Sequence, residues 1–105
     1  MKPSKRKRLE SRGWTVAATK EFLGLSEQES AIIELRLDLA ENLRSLRHRS
    51  GLSQAELARR LKSSQSRVAK MEAGDASVSI ELLLRALFQL GATRRQLGRV
   101  IGRAA

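Results

Sequence analysis

The 105 residues carry a formal charge of +10, include no cysteine, and only 3% of them are aromatic. That length favours one domain around a single modest core, and that charge favours a polyanionic partner, most simply duplex DNA. The composition excludes disulfides and thiolate metal sites, argues against reading single strands by base stacking, and offers neither a membrane span of roughly 18 apolar residues nor the apolar core of a signal peptide, so a cytoplasmic protein is expected.

The charge is distributed in blocks. Residues 1–12 hold six basic side chains (Lys2, Lys5, Arg6, Lys7, Arg8, Arg12) against Glu10. Between Glu21 and Glu41 the sign reverses, with Glu21, Glu27, Glu29, Glu34, Asp38 and Glu41 against Arg36. From Asn42 to Asp75 it turns basic again. One surface does not suit one partner throughout, and the chain divides into a basic flexible arm (1–12), an N-terminal extension for partner or dimer contact (13–38) and a DNA-binding domain (39–105).

The arm lacks apolar periodicity and contains the sole proline; it reads either as a solvated tail or as an arm laid along phosphates or in the minor groove. Trp14 to Val16 is β-prone, with Trp14 an anchor against the body or a partner, and a short helix over 18–23 would carry Phe22. Ser26 with Glu29 forms a capping box and Gly51 a stop, which predicts one long helix from about Glu27 to Arg49. Ile32, Leu35, Leu39, Leu43 and Leu46 make its core stripe. Ile33, Leu37 and Ala40 add a second stripe confined to the front half, offered either to a subunit or partner or to the Trp14–Leu23 segment folding back. His48, the single histidine, lies in the last turn, where a helix C-terminus favours it.

Ser53 and Glu56 form a second capping box with Leu52 and Leu57 at the staple positions, opening a helix from Gln54 to Leu61. Ser64 caps a helix to Ala73 that Gly74 stops. Leu57, Ala58, Leu61, Val68 and Met71 face inward together. The outward side presents Gln65, Ser66, Arg67 and Lys70 at and after the N-terminus of the second helix, a polar and basic end suited to the major groove. Ser79 caps a helix from Ile80 to Leu90, in which Ile80, Leu83, Leu84, Leu87 and Leu90 supply core and Phe88 broadens it. Thr93 and Gln96 box the start of a last helix through Leu97, Val100 and Ile101; its Arg94, Arg95 and Arg99 read as solvated surface in preference to phosphate contacts. With one histidine at a helix end and carboxylates scattered along a helix face, there is no nucleophile, metal cluster or acid–base pair, and neither an enzyme nor a cofactor is expected.

The run LSQAELARRLKSSQSRVAKMEAG, residues 52–74, resembles the helix-turn-helix of the Cro and lambdoid phage repressor family, the XRE family. Lys62 and Ser63 depart from it, standing where that family has glycine and a β-branched apolar residue; a non-glycine residue in a left-handed turn costs roughly 1 kcal/mol. The resemblance, over about Leu39 to Ile101, implies an all-α, five-helix lambda-repressor-like DNA-binding domain, here with an N-terminal extension comprising a short strand or helix and a lengthened first helix. It also implies roles. Gln54 would meet a phosphate and brace Gln65, Gln65 would bond adenine with Ser64 and Ser66 beside it, Lys70 would prefer guanine, and Arg67 would take a base or a phosphate. Arg47 and Arg49 would be weaker phosphate contacts. A homodimer on a palindromic operator is expected, with the C-terminal helix and the Ile33 and Leu37 surface competing for the interface.

A broader resemblance runs from GWTVAATKEFLGLSEQES through SSQSRVAKMEAGDASVS, to HigA-type antitoxins of toxin–antitoxin pairs. It implies repression of the chain's own operon and capture of a RelE or HigB-like ribonuclease toxin, a small basic protein that the acidic stretch could cover through Trp14, Phe22, Ile33 and Leu37.

Overall fold

The computed structural model describes residue 24 and residues 26–103, and in them the chain forms five helices and no strand. They are α1 (Glu27–Arg49), α2 (Gln54–Arg60), α3 (Gln65–Ala73), α4 (Ile80–Gln89) and α5 (Arg94–Gly102). The arm, the Trp14–Val16 strand and the short helix through Phe22 lie outside the described residues.

Each helix starts on a hydroxyl. Ser26, Ser53, Ser64, Ser79 and Thr93 accept from the backbone N–H three residues on, satisfying a donor that the helix leaves unpaired. At α1, α2 and α5 the third residue, Glu29, Glu56 or Gln96, reaches back to the cap's own N–H and completes the box. At the other end, the first four helices close with paired backbone bonds to a left-handed residue and its successor. Gly51, Gly74 and Gly91 supply that residue after α1, α3 and α4, and Lys62 supplies it after α2 with φ 53°. There Lys62 N–H donates to Arg59 O at 3.2 Å and Ser63 N–H to Ala58 O at 2.8 Å, the Schellman pattern on a residue that carries a Cβ. The turn anticipated as strained thus keeps its left-handed geometry without glycine.

Helix α1 is the spine, packing against α3, α4 and α5, while α2 packs on α3. Leu39 and Leu43 from α1, Leu57 from α2, Val68 and Met71 from α3, and Leu83 and Leu87 from α4 are fully buried, and α5 closes the core with Leu97 and Val100. Two of the expected core residues point elsewhere. Phe88 is 48% exposed, because Leu83, Ala86 and Leu87 take the inward side of α4 and Phe88 lies one residue round the helix. Ile32 is 46% exposed, a turn ahead of Leu35, where packing against the five-helix core begins.

The second stripe on α1 also resolves differently. Ala40 and Leu37 are buried and Ile33 is half-buried. Leu37 lies over the end of α3, so close that a Cβ built on Gly74 would sit 2.8 Å from its Cδ2. Glycine is thus favoured at 74 both by the left-handed backbone and by this approach. Next to it, Arg36 Nε donates to Val78 O at 3.2 Å and ties α1 to the loop that follows α3.

Candidate nucleic-acid interface

Helix α3 is nine residues long, about 13 Å at 1.5 Å per residue, and turns Val68 and Met71 to the core. That commits the other side to solvent: Ser64, Gln65, Ser66, Arg67 and Lys70 are all exposed. Ser64 Oγ accepts from Arg67 N–H at 3.1 Å, which leaves its hydroxyl hydrogen free to donate outward. Ser64, Ser66, Arg67 and Lys70 border a shallow depression whose far wall is Ser77 and Val78, and among the described residues no carboxylate lines it. The far wall is itself fixed, since Asp75 Oδ1 accepts from Ser77 N–H at 2.8 Å; these bonds hold the Asp75 carboxyl below its usual pKa, so it is ionised at neutral pH. The result is a cationic, hydroxyl- and amide-bearing helix end beside a rigid loop, which can offer donors and acceptors to base edges and positive charge to phosphates.

Behind this face is a buried polar cluster. Arg47 is 7% exposed, and its Nε and Nη2 donate to Glu72 Oε2 and Oε1 at 2.6 and 3.0 Å while Nη1 donates to Leu52 O at 2.8 Å. Its hydrogen bond to Glu72 raises the guanidinium's pKa, outweighing the opposite effect of burial. Gln54 Nε2 completes the cluster with a bond to Glu72 Oε1 at 3.2 Å. Three elements are clamped by one carboxylate: the end of α1, the start of α2 and the last turn of α3. A buried charge pair of this kind is strongly destabilising to break, because the survivor is left uncompensated.

Several expected positions are corrected by this geometry. Arg47 is an interior clamp and not a surface phosphate contact, since it is buried and Glu72 and Leu52 O take bonds from all three of its nitrogens. Gln54 stands at the start of α2 as expected, but its amide braces Glu72 instead of Gln65. Arg49, by contrast, stays exposed as a phosphate contact needs, and lies in a groove with α5 residues on another flank of α1. Leu37, assigned to a partner, is spent on Gly74. Ile33 keeps part of its surface, and Trp14 and Phe22 lie outside the described residues.

Glu72, Arg36 and Ser77 are the positions that the sequence reading passed over. Only Glu72 left a signal, as the sole acid in α3, one residue after a buried methionine.

An all-helical domain whose second and third helices form a tight pair, with the third presenting a basic polar end, is a helix-turn-helix DNA-binding domain. Residues 38–100, more than half of the chain, match the family model described as a helix-turn-helix domain, and the chain belongs to that family. No curated protein and no solved structure matches it. Among the described residues no helix is long and apolar enough to cross a membrane.

Proposed function

We propose that this chain is a sequence-specific double-stranded DNA-binding transcriptional repressor of the XRE type, and that it is the antitoxin of a toxin–antitoxin pair, repressing its own operon and neutralising a RelE or HigB-like ribonuclease. The observation that carries the DNA reading is the depression at the N-terminus of α3, bordered by Ser64, Ser66, Arg67 and Lys70 with no carboxylate among its described lining residues. In this reading Gln65 bonds adenine, Ser64 and Ser66 lie at neighbouring base edges, Lys70 favours guanine, and Arg67 takes a base or a phosphate. Gln54 contributes by holding Glu72 and by presenting the N-terminus of α2 to a phosphate. One such module spans few base pairs, so the working form is a homodimer in the cytoplasm on a palindrome with half-sites about 34 Å apart. Neither cofactor nor catalysis is part of this function.

The toxin assignment rests on charge and layout. RNA-cleaving toxins are basic, and the acidic stretch from Glu21 to Glu41 supplies the complement, with Trp14, Phe22 and the accessible side of Ile33 as apolar contacts. The alternative, a stand-alone regulator of the same type with no toxin, is favoured by one observation: Leu37 and Arg36 are engaged with the chain's own reading domain.

A gel-shift series across operator variants tests the first part. Gln65→Ala is expected to change which operator is preferred, by about 1–3 kcal/mol at one position; an unaltered preference would remove α3 as the reader. Co-expression with the product of the adjacent gene and a pull-down tests the second. A stable complex with a small basic protein supports the antitoxin, and its absence leaves the stand-alone regulator.

A further inference from the structure

From Leu82 to Ala105 the chain has five arginines and no carboxylate residue. Gln96, Arg99 and Arg103 follow one another at three- and four-residue spacing, which stacks them along one face of α5. Asn42, Leu46 and Arg49 have the same spacing on α1. The two strips border a groove of about 370 Å³ whose remaining walls are Ala92 and Val100. Its floor is apolar: Ala92 and Val100 belong to the core and Leu46 packs against it. Its rim carries three exposed guanidiniums, and among the described residues no carboxylate lines it. Gln96 spends its carbonyl on Thr93 N–H at 2.8 Å, which leaves the amide hydrogens as further donors.

The groove is separate from the reading face. Residues two apart on a helix point about 200° apart. Arg47 is turned towards Glu72 on α3, so Arg49 is turned to the other flank, where α5 lies.

We propose that the groove between α1 and α5 docks an acidic segment of another protein, one in which carboxylates flank an apolar side chain. Carboxylates meet Arg49, Arg99 and Arg103 in charge-assisted, two-pronged bonds. The apolar side chain covers Leu46 and Val100, and the amides of Asn42 and Gln96 serve the segment's backbone. Duplex DNA fits this surface less well, since its phosphates gain nothing from an apolar floor. Docking at this flank leaves the N-terminus of α3 free, so the segment and DNA bind together.

The test uses the full chain and two fluorescein-labelled synthetic peptides, one with glutamates on either side of a leucine pair and one with glutamines in their place, read by fluorescence anisotropy with and without saturating duplex. The glutamate peptide is expected to bind saturably, at least about tenfold more tightly than the glutamine one. Arg99→Glu with Arg103→Glu, at exposed positions and checked for helicity by circular dichroism, removes that binding. Arg67→Ala leaves it unchanged, and so does the duplex. Resonances of Leu46 and Val100 shift on addition of the peptide. Absence of saturable binding, equal binding of the two peptides, or full affinity in the double variant overturns the proposal. Displacement by the duplex also overturns it and makes the groove a DNA contact.

Discussion

Lys62→Gly isolates the one left-handed turn among the described residues that lacks glycine. Lys62 holds φ 53° because the Schellman bonds after α2 demand it, and its Cβ is crowded by the backbone in that conformation. The left-handed conformation costs an L-residue roughly 1–2 kcal/mol. Glycine removes that cost but gives back roughly 0.5–1 kcal/mol through the greater freedom of the unfolded chain. The balance is a gain of about 0.7 kcal/mol, or about 3–6 °C in Tm for a domain of this size. Thermal and urea unfolding followed by circular dichroism measure it. Lys62→Ala is the control, since it removes the same charge but keeps the Cβ, and its stability should stay near that of the parent. A glycine variant no more stable than the parent, or an alanine variant raised as far as the glycine one, would refute strain as the relevant quantity.

Three further outcomes follow from the contacts. Glu72→Ala strands the Arg47 guanidinium in an interior where it is 7% exposed, and should lower stability by about 3–5 kcal/mol, read as a fall in the urea midpoint. Gly74→Ala meets both a φ of 70° and a Leu37 Cδ2 only 2.8 Å from the new Cβ. It should cost roughly 1–3 kcal/mol, and Leu37→Ala in the same chain should recover the steric part in a double-mutant cycle. Lastly, bonds from the backbone and side chain of Ser53 lower the pKa of Glu56, and bonds from Ser77 lower that of Asp75. Each therefore stabilises the fold fully above its unfolded pKa, about 4, and the contribution is lost as pH falls through the lower folded value. Glu56→Gln should flatten the acid limb of a stability–pH profile; a profile that keeps the parent's slope would show that this cap does not contribute.

The helix boundaries were legible in the sequence because they are fixed locally. A serine or threonine with a carboxylate or amide three residues later, and a glycine after the last turn, act over five or six residues and need no distant partner. All five described helices start on such a hydroxyl, three of them with the full box, and the exposed, basic end of α3 followed from one amphipathic period. The apolar inventory was legible in kind but not in direction. Phe88 and Ile32 read as core because hydrophobicity was counted, whereas exposure depends on which neighbour reaches that side of the helix.

What remained for the tertiary structure was every assignment in which one side chain chooses among several partners far apart in sequence. In the sequence alone Arg47 and Arg49 were equivalent arginines near the end of one helix. Packing turns one inward onto Glu72, where a buried cation must be matched, and leaves the other among the arginines of α5. Gln54 bonds Glu72 and not Gln65 for the same reason, the buried carboxylate being the stronger acceptor within reach. Leu37 read as available because it belongs to the second stripe on the front half of the long helix, but the close approach permitted by Gly74 draws it over the end of the reading helix. Caps, stops and periodicity thus determined which helices exist and which end faces outward. The partners of the charged and apolar side chains were decided only when α1 met α3, α4 and α5, because burial makes an unpaired charge or an uncovered leucine costly and the chain alone does not say where burial will occur.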